Sequence, residues 1–315
     1  MAQHAHVSGR KLRTLRALGM ALAIAAAAIA EERAGTADLR ELYREARQGG
    51  ADRLYGVPAQ QELARFEQAM ESWLTAGTRP TLEDAGFGWF AARSRRGEVQ
   101  AILEIGAARS GGGVFFVAWP PAREPAALVL EAPHSFFDLK TGELALALFD
   151  SGLGSALAVN TVHRKRAATD GTPGGEVADV AHNDRNYFHA FTEAAARAFP
   201  ACLVVQLHGF DGQKRKPGVW ADFVLSDGSG QFSPGSLLER AGVAFAAEFG
   251  GDRVQLSGRD TLELTAARNA QGAMLRKLGS DRFLHVEMTA RERDRLATDP
   301  EELARLRHAL ERVRK

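Results

Sequence analysis

The chain has 315 residues, of which 45% are apolar, enough for one large α/β domain or two small ones and too many for global disorder. Its 40 Lys and Arg nearly balance its 39 Asp and Glu, so charge gives no reason to expect nucleic-acid binding. The one cysteine, Cys202, excludes an intramolecular disulfide and a cysteine-based structural zinc site.

The first thirty residues are typical of a secretory signal peptide. A basic stretch ends at Arg16, residues 17–29 are uncharged and mostly apolar, and Ala28-Ile29-Ala30 fits a small-residue cleavage site. The apolar stretch is too short to span a bilayer comfortably. We therefore predict a signal peptide over residues 1–30, export to the periplasm or medium, and no membrane span after cleavage. The alternative is an Ala-rich helix that begins a cytosolic domain.

Residues 31–84 predict a helical N-terminal extension. Apolar residues recur at helical spacing as far as residue 76, and Gly49-Gly50 separates two helical segments. Such an extension either packs on the main domain or serves as a partner-binding hairpin, and amphipathic segments of this kind favour packing.

From about residue 85 the pattern changes to strands that alternate with helices. The predicted strands cover residues 98–105, 113–119, 127–130, 156–162, a run ending at 208, 219–225, 253–256 and 283–287. The predicted helices cover residues 143–148, 187–199, 236–249, 265–278 and a C-terminal segment. This alternation predicts one α/β domain over residues 85–315, with a mixed, mainly parallel sheet and helices on both faces.

Three of the predicted strands end in residues that bind metals or carry protons. His134 follows the strand at 127–130, His208 ends the next apolar run, and Glu287 ends the last strand. Ligands of open α/β sheets bind beyond the carboxyl ends of the strands. Two His and a carboxylate form a recurrent catalytic zinc set, so we predict one Zn²⁺ per chain held by His134, Asp138 and His208, with Glu287 as general base.

The third metal ligand remains open between several residues. Asp138 lies four residues after His134 and shares a metal with it if this stretch forms a turn. Glu131, Glu143 and His182 are alternatives to Asp138. His285 alternates with Glu287 along the strand and is a spare candidate, while Glu287 itself has an alternative role as an N-terminal charge of the following helix.

Arginines near the middle of the chain are candidates for substrate binding. Arg185 lies in the polar segment 183–187, and a guanidinium suits a substrate carboxylate or a developing oxyanion. The alternative is that this segment only caps the following helix. We expect His182 and His189 to be polar surface residues. The basic run 164–166 is typical of a solvated loop, or of one that steers an acidic substrate.

Taken together, these segments resemble the superfamily of zinc carboxypeptidases and N-formylglutamate amidohydrolases, over roughly residues 125–295. Pro133-His134-Ser135 is similar to the first metal-binding motif of the formylglutamate branch, and residues 183–187 to the family's Asn-Arg segment, which contacts substrate. Residues 205–209 resemble the strand-end His motif, and Val286-Glu287 resembles the strand that carries the catalytic Glu. The resemblance implies hydrolysis of an amide or peptide bond.

Two departures from the family pattern bear on the site. Carboxypeptidases have the acidic ligand three residues after the first His, where this chain has Phe137, and Asp138 follows one residue later. The Asn and Arg of the family segment are separated here by Asp184.

We therefore predict an exported zinc-dependent hydrolase whose substrate is a small acylated amino acid or a wall peptide. An alternative is a wall hydrolase of the N-acetylmuramoyl-L-alanine amidase kind, although Pro133 and Ser135 flank the first His where such enzymes have glycines. A second alternative is a non-catalytic exported binding protein on the same fold. The sequence leaves the oligomeric state open.

Overall fold

The computed structural model of the chain describes residues 37–106, 110–120, 127–173, 177–215 and 218–315. The predicted signal peptide lies outside these ranges. The described strands are β1 (Ala37–Asp38), β2 (Phe87–Ser94), β3 (Gly97–Glu104), β4 (Val114–Ala118), β5 (Leu128–Ala132), β6 (Ala156–Val159), β7 (Leu203–Phe210), β8 (Phe223–Ser226), β9 (Val254–Leu256) and β10 (Phe283–Thr289). The helices are α1 (Leu39–Arg47), α2 (Gln60–Ala76), α3 (Thr141–Asp150), α4 (Tyr187–Ala198), α5 (Leu237–Phe249), α6 (Ala270–Lys277), α7 (Ala290–Thr298) and α8 (Pro300–Arg314).

All ten strands form one mixed sheet, in the order β1-β2-β3-β4-β6-β5-β7-β10-β8-β9. Four neighbouring strands at its centre, β6, β5, β7 and β10, run parallel to one another. The β2–β3, β3–β4, β4–β6 and β8–β10 pairings are antiparallel. The predicted fold class, a mixed and mainly parallel sheet, is confirmed.

Helices cover both faces of the sheet, which explains the continuous apolar runs of its central strands. In β5, Leu128 and Leu130 pack in one core cluster with α1, α3, α5 and α8, whereas Val129 packs in the other with α2, α4 and α6. The two helices of the predicted N-terminal extension thus pack on opposite faces of the sheet. The domain boundary at residue 84 stays a prediction.

The structure corrects several predicted elements. The helix predicted over residues 265–278 begins only at Ala270, because Leu264 and Ala266 adopt positive φ angles and Asn269 caps the first turn. The C-terminal segment forms two helices, since Asp299 caps α8 and Pro300 begins it.

Two smaller observations concern membrane-spanning helices and the single cysteine. The described part contains no helix long and apolar enough to cross a membrane. Cys202 is 1% exposed, and burial raises the pKa of its thiol to about 12, as expected for an inert core cysteine.

The connections around β5 create a switch point at the centre of the sheet. From β5 the chain passes through α3 to β6 on one side, then through α4 to β7 on the other side. Two crossovers that leave in opposite directions open a crevice at the carboxyl ends of β5 and β7. His134 follows β5 and His208 lies on β7, so both reach this crevice.

Candidate metal centre

His134, Asp138 and His208 converge in the crevice between β5 and β7. The Nδ1 atoms of both histidines lie 3.4 Å from the same oxygen, Oδ2 of Asp138. All three side chains are buried, and their ligand atoms lie within 4.8 Å of one another. The structure thus brings together the three residues that the sequence analysis selected as ligands.

A single turn after β5 explains why the acidic residue stands four places after His134. The backbone N–H of Asp138 donates to the carbonyl of His134 at 2.7 Å, and the Thr141 hydroxyl donates to the carbonyl of Asp138 at 2.8 Å. This turn directs Asp138 into the crevice. Phe137, one residue earlier, is instead 44% exposed.

Two of the three spacings among these atoms fit a tetrahedral zinc ion. Zinc bonds to His nitrogen and carboxylate oxygen measure about 2.0–2.1 Å, which puts neighbouring tetrahedral ligands about 3.4 Å apart. The two Nδ1–Oδ2 distances in this site are both 3.4 Å. Two neutral imidazoles and one carboxylate are also the donor types that zinc prefers, so the residues present fit the ion.

Asp179, which the sequence analysis did not select, holds the other nitrogen of His134. Its Oδ1 lies 2.8 Å from Nε2 of His134, and its Oδ2 lies 3.1 Å from Nδ1 of His182. A carboxylate on the second nitrogen of a metal-binding His orients the ring and raises its basicity. The available signal was an Asp flanked by apolar residues, Val177-Ala178-Asp179-Val180-Ala181.

Arg164 is the arginine that contacts this group. Its guanidinium pairs with Asp179, and its Nη1 lies 3.2 Å from Nδ1 of His134. Arg185, the predicted arginine, is exposed on the loop before α4, where its backbone N–H donates to the side chain of Asn183 at 2.8 Å.

Glu287 lies beside His208 because the two residues are register partners in the β7–β10 ladder. Glu287 is 8% exposed, and its Oε2 accepts no hydrogen bond from the described residues. Burial, followed by the charge of Asp138, raises the pKa of Glu287 to about 8. A buried carboxyl group with a free oxygen and a pKa near neutrality has the properties of a general base.

The histidines of the crevice differ in their affinity for protons. Burial lowers the pKa of His208 to about 4, which favours the neutral ring that a metal requires. Burial also opposes a charge on His134, but its hydrogen bonds to Asp138 and Asp179 outweigh burial and raise its pKa. The ring of His285 lies with its centroid 4.2 Å from that of His208, tilted by 30°, and burial holds the pKa of His285 well below the usual range.

The alternative acidic ligands lie outside the triad. Glu131 is fully buried and accepts hydrogen bonds from the Thr192 hydroxyl at 2.5 Å and from Gln206 Nε2 at 2.7 Å. Glu143 lies on α3, where it pairs with Arg47. Both carboxylates are thus held by other partners.

His182, which precedes α4, and His189, which lies within α4, occupy different environments. The side chain of His182 is 40% exposed and contacts Asp179, so it lies at the rim of the site. His189 is 8% exposed, and Gln271 Nε2 lies 3.3 Å from its Nδ1. The expectation that His189 is a surface residue is wrong, because its helix presents this face to α6.

Comparisons with known proteins find similarity at the level of the fold. No family model and no curated protein matches the chain. Among solved structures, the chain is similar to an N-formylglutamate amidohydrolase from Ralstonia eutropha JMP134 (18% identity, 64% of this chain and 95% of that one, TM-score 0.36). It is also similar to a succinylglutamate desuccinylase from Chromobacterium violaceum (15% identity, 79% of this chain and 72% of that one, TM-score 0.40). A third similar structure is a metallo-carboxypeptidase from Burkholderia cenocepacia (12% identity, 81% of this chain and 68% of that one, TM-score 0.34). These are the classes of protein that the sequence motifs resemble.

Proposed function

We propose that the chain is a zinc-dependent hydrolase of an amide or peptide bond. The observation that carries the proposal is the convergence of Nδ1 of His134 and Nδ1 of His208 on Oδ2 of Asp138, with both nitrogens 3.4 Å from this oxygen, the spacing of neighbouring tetrahedral ligands. The buried carboxyl group of Glu287 beside them supports a catalytic role over a structural one.

The residues of the site divide the reaction among them. A zinc ion held by the triad supplies a Lewis acid that polarises the substrate carbonyl and makes a water more acidic. Glu287 takes one proton from the attacking water and delivers it to the leaving nitrogen, while the new C–O bond forms and the C–N bond breaks. The products are a carboxylic acid and an amine.

Two arginines have distinct positions relative to this chemistry. Nη1 of Arg164 lies 3.2 Å from Nδ1 of His134, the nitrogen whose lone pair a metal would take. With that lone pair taken, this N–H of Arg164 would be released to donate to an oxygen that becomes negative during attack. Arg185 lies farther out on an exposed loop, and we assign it to a carboxylate at the remote end of the substrate. A small acylated amino acid or a wall peptide carries such a group.

Export is part of the proposal and rests on the sequence of residues 1–30. The basic, apolar and small-residue segments occur there in the order of a secretory signal. Fractionation of cells that express the full chain tests it, since a periplasmic or secreted enzyme lacks the first thirty residues in its mature form.

Metal content is the first test of the proposed function. Residues 31–315, purified without chelators or an affinity metal, should contain about one zinc per chain, and His208→Ala should contain none. If the protein binds no metal even when zinc is offered at neutral pH, the hydrolase proposal fails and a binding protein on this fold is favoured.

The role of Glu287 is tested separately by Glu287→Gln. The variant should keep its zinc, because Glu287 is outside the triad, and should lose roughly 100- to 10,000-fold in turnover, as expected when a general base is removed. An amide-substrate panel and purified wall material serve as substrates, and digestion of the wall alone would favour the amidase alternative. Full turnover by Glu287→Gln contradicts the assignment of the base.

A further inference from the structure

The proton of His208 must lie on one particular nitrogen for the proposed metal site to work. A neutral imidazole carries its proton on one ring nitrogen, and only the other nitrogen has a lone pair for a metal. Nδ1 of His208 faces Asp138, while Nε2 lies 3.2 Å from Oε1 of Gln206. A side-chain amide presents either oxygen or nitrogen with nearly the same shape, so its other partners decide which one faces His208.

One anchor of the Gln206 amide is the first turn of α6. The backbone N–H of Gly272 can only donate, and it donates to Oδ1 of Asn269 at 2.9 Å. Nδ2 of Asn269 must therefore be the atom that faces Gln206, and it donates to Oε1 of Gln206 at 2.7 Å. An oxygen at this position of Gln206 accepts from His208, which requires the proton on Nε2.

A second anchor reaches the other end of the same amide independently. The carbonyl of Val180 can only accept, and Nε2 of Gln271 donates to it at 2.9 Å. Oε1 of Gln271 therefore faces Gln206, whose Nε2 donates to it at 3.2 Å and to Glu131 at 2.7 Å. Both anchors assign the same orientation to Gln206.

Burial makes this arrangement decisive. Gln206 and Gln271 are 0% exposed, Asn269 is 2% exposed and His208 is 3% exposed. Bulk water does not reach these groups to offer other partners, and a buried donor that faces another donor leaves both unsatisfied. The orientation set at Gly272 and Val180 is thus transmitted to Nε2 of the imidazole, where it opposes the preference of the Asp138 carboxylate for a proton on Nδ1.

We propose that Asn269 and Gln206 fix the proton of His208 on Nε2 and so keep its Nδ1 lone pair directed at the metal position. They are positioning residues, since they act through His208. The effect on metal affinity rests on the proposed function, whereas the tautomer is a property of the metal-free protein and is measured without it. Partners of this kind usually contribute roughly 10- to 100-fold to metal affinity.

The decisive variant is Asn269→Asp. The new carboxylate still caps α6 by accepting from Gly272, but its second oxygen cannot donate to Gln206. The Gln206 amide then meets opposed demands, because this carboxylate calls for its NH₂ group at one end while Glu131 and Gln271 still call for it at the other. The preference for a proton on Nε2 of His208 weakens, and the share of Nδ1–H rises. The matched control is Asn186→Asp, because Asn186 is a buried N-cap of α4 whose Nδ2 donates to the carbonyl of Asn183 and not to the His208 partners.

The experiment measures tautomers by long-range ¹H–¹⁵N NMR of histidine-labelled, chelator-treated protein, and zinc affinity by competition with a chelator. We expect Nε2–H at His208 in the wild type and in Asn186→Asp. In Asn269→Asp we expect a rise in Nδ1–H and a roughly 10- to 100-fold loss of zinc affinity. Gln206→Leu is the second variant, with the buried Gln255→Leu on β9 as its control.

The outcomes separate this proposal from the proposed function. An Nδ1–H tautomer at His208 in the wild type overturns the proposal, and so do an unchanged tautomer and affinity in both Asn269→Asp and Gln206→Leu. A wild type that shows Nε2–H yet binds no zinc supports the proposal and overturns the metal site.

Discussion

The two histidines of the candidate metal centre differ in their hydrogen-bond partners, which are charged at His134 and neutral at His208. His134 presents Nε2 to the carboxylate of Asp179 and has the guanidinium of Arg164 next to Nδ1. His208 presents Nε2 to the neutral amide of Gln206. The pKa values follow this division, since the pKa of His134 is raised by its acidic partners against the effect of burial, whereas burial lowers that of His208 to about 4.

The difference shows two ways to fix which ring nitrogen of a neutral histidine carries the proton. A carboxylate only accepts and a guanidinium only donates, so Asp179 and Arg164 fix the tautomer of His134 without further help. An amide both donates and accepts, so Gln206 needs the anchors at Asn269 and Gln271. The charged groups around His134 fix its tautomer alone, but they place two charged side chains in the site. The neutral amide beside His208 fixes the tautomer only if other side chains fix the orientation of that amide.

Among the predictions that test this comparison, the largest expected effect is the difference between variants of Arg164 and of Arg185. In Arg164→Gln we expect kcat to fall about 100- to 1,000-fold, because a donor close to the metal position stabilises negative charge only as it develops. In Arg185→Gln we expect mainly a higher KM, because a remote contact is made equally in the ground and transition states. Steady-state kinetics at matched zinc content measure both. The reverse pattern would restore Arg185 to the reacting centre.

A smaller effect follows from Asp179→Asn, the inverse of Asn269→Asp. Arg164 only donates, so it holds the oxygen of the new amide, whose NH₂ group then faces Nε2 of His134. With zinc on Nδ1 of His134 the proton must lie on Nε2, where it would face this second donor, so we expect zinc affinity to fall by roughly 10- to 100-fold.

Chelator competition measures that loss, with Asp150→Asn as the control. Asp150 is also a buried aspartate that contacts arginines, Arg40 and Arg95, but it lies at the end of α3, away from the centre. Equal affinities in Asp179→Asn and Asp150→Asn would show that the carboxylate does not control His134. The double variant with Asn269→Asp then measures whether the two histidines are coupled.

The sequence predicts the part of the site that strands deliver. Apolar runs mark where β5, β7 and β10 end, and parallel neighbours end at the same edge, so His134, His208 and Glu287 are found together. The same reasoning comes close to predicting Asp138, because Asp138 lies in the turn that follows β5. Only the form of that turn decides whether Phe137 or Asp138 points into the crevice.

The residues that orient the histidines are beyond such reasoning for a physical reason. Arg164 and Asp179 come from a long connection without periodicity, and their contact with His134 depends on how that connection folds back. Gln206 interrupts an apolar run and Glu131 does the same in β5, so the sequence marks both as unusual, but their partners lie on other elements.

The smallest expected effect concerns Glu131, a buried acidic group that contacts the amide of Gln206. Burial raises its pKa from the ordinary 4.5 to about 7. Between these values the folded chain holds a proton that the unfolded chain releases. The free energy of unfolding should therefore fall as pH rises from 5 to 7, by at most about 1.4 kcal/mol per pH unit from this group.

Glu131→Gln should flatten this dependence in urea unfolding of the metal-free protein at pH 5, 6 and 7. The new amide is readily satisfied: its oxygen accepts from Gln206, and its NH₂ group faces the hydroxyl of Thr192, whose single hydrogen then turns from residue 131 to the carbonyl of Phe188 at 3.0 Å. Because the anchors of Gln206 remain, zinc affinity should stay near that of the wild type. A large loss of affinity would mean that this buried charge, and not amide orientation, controls His208.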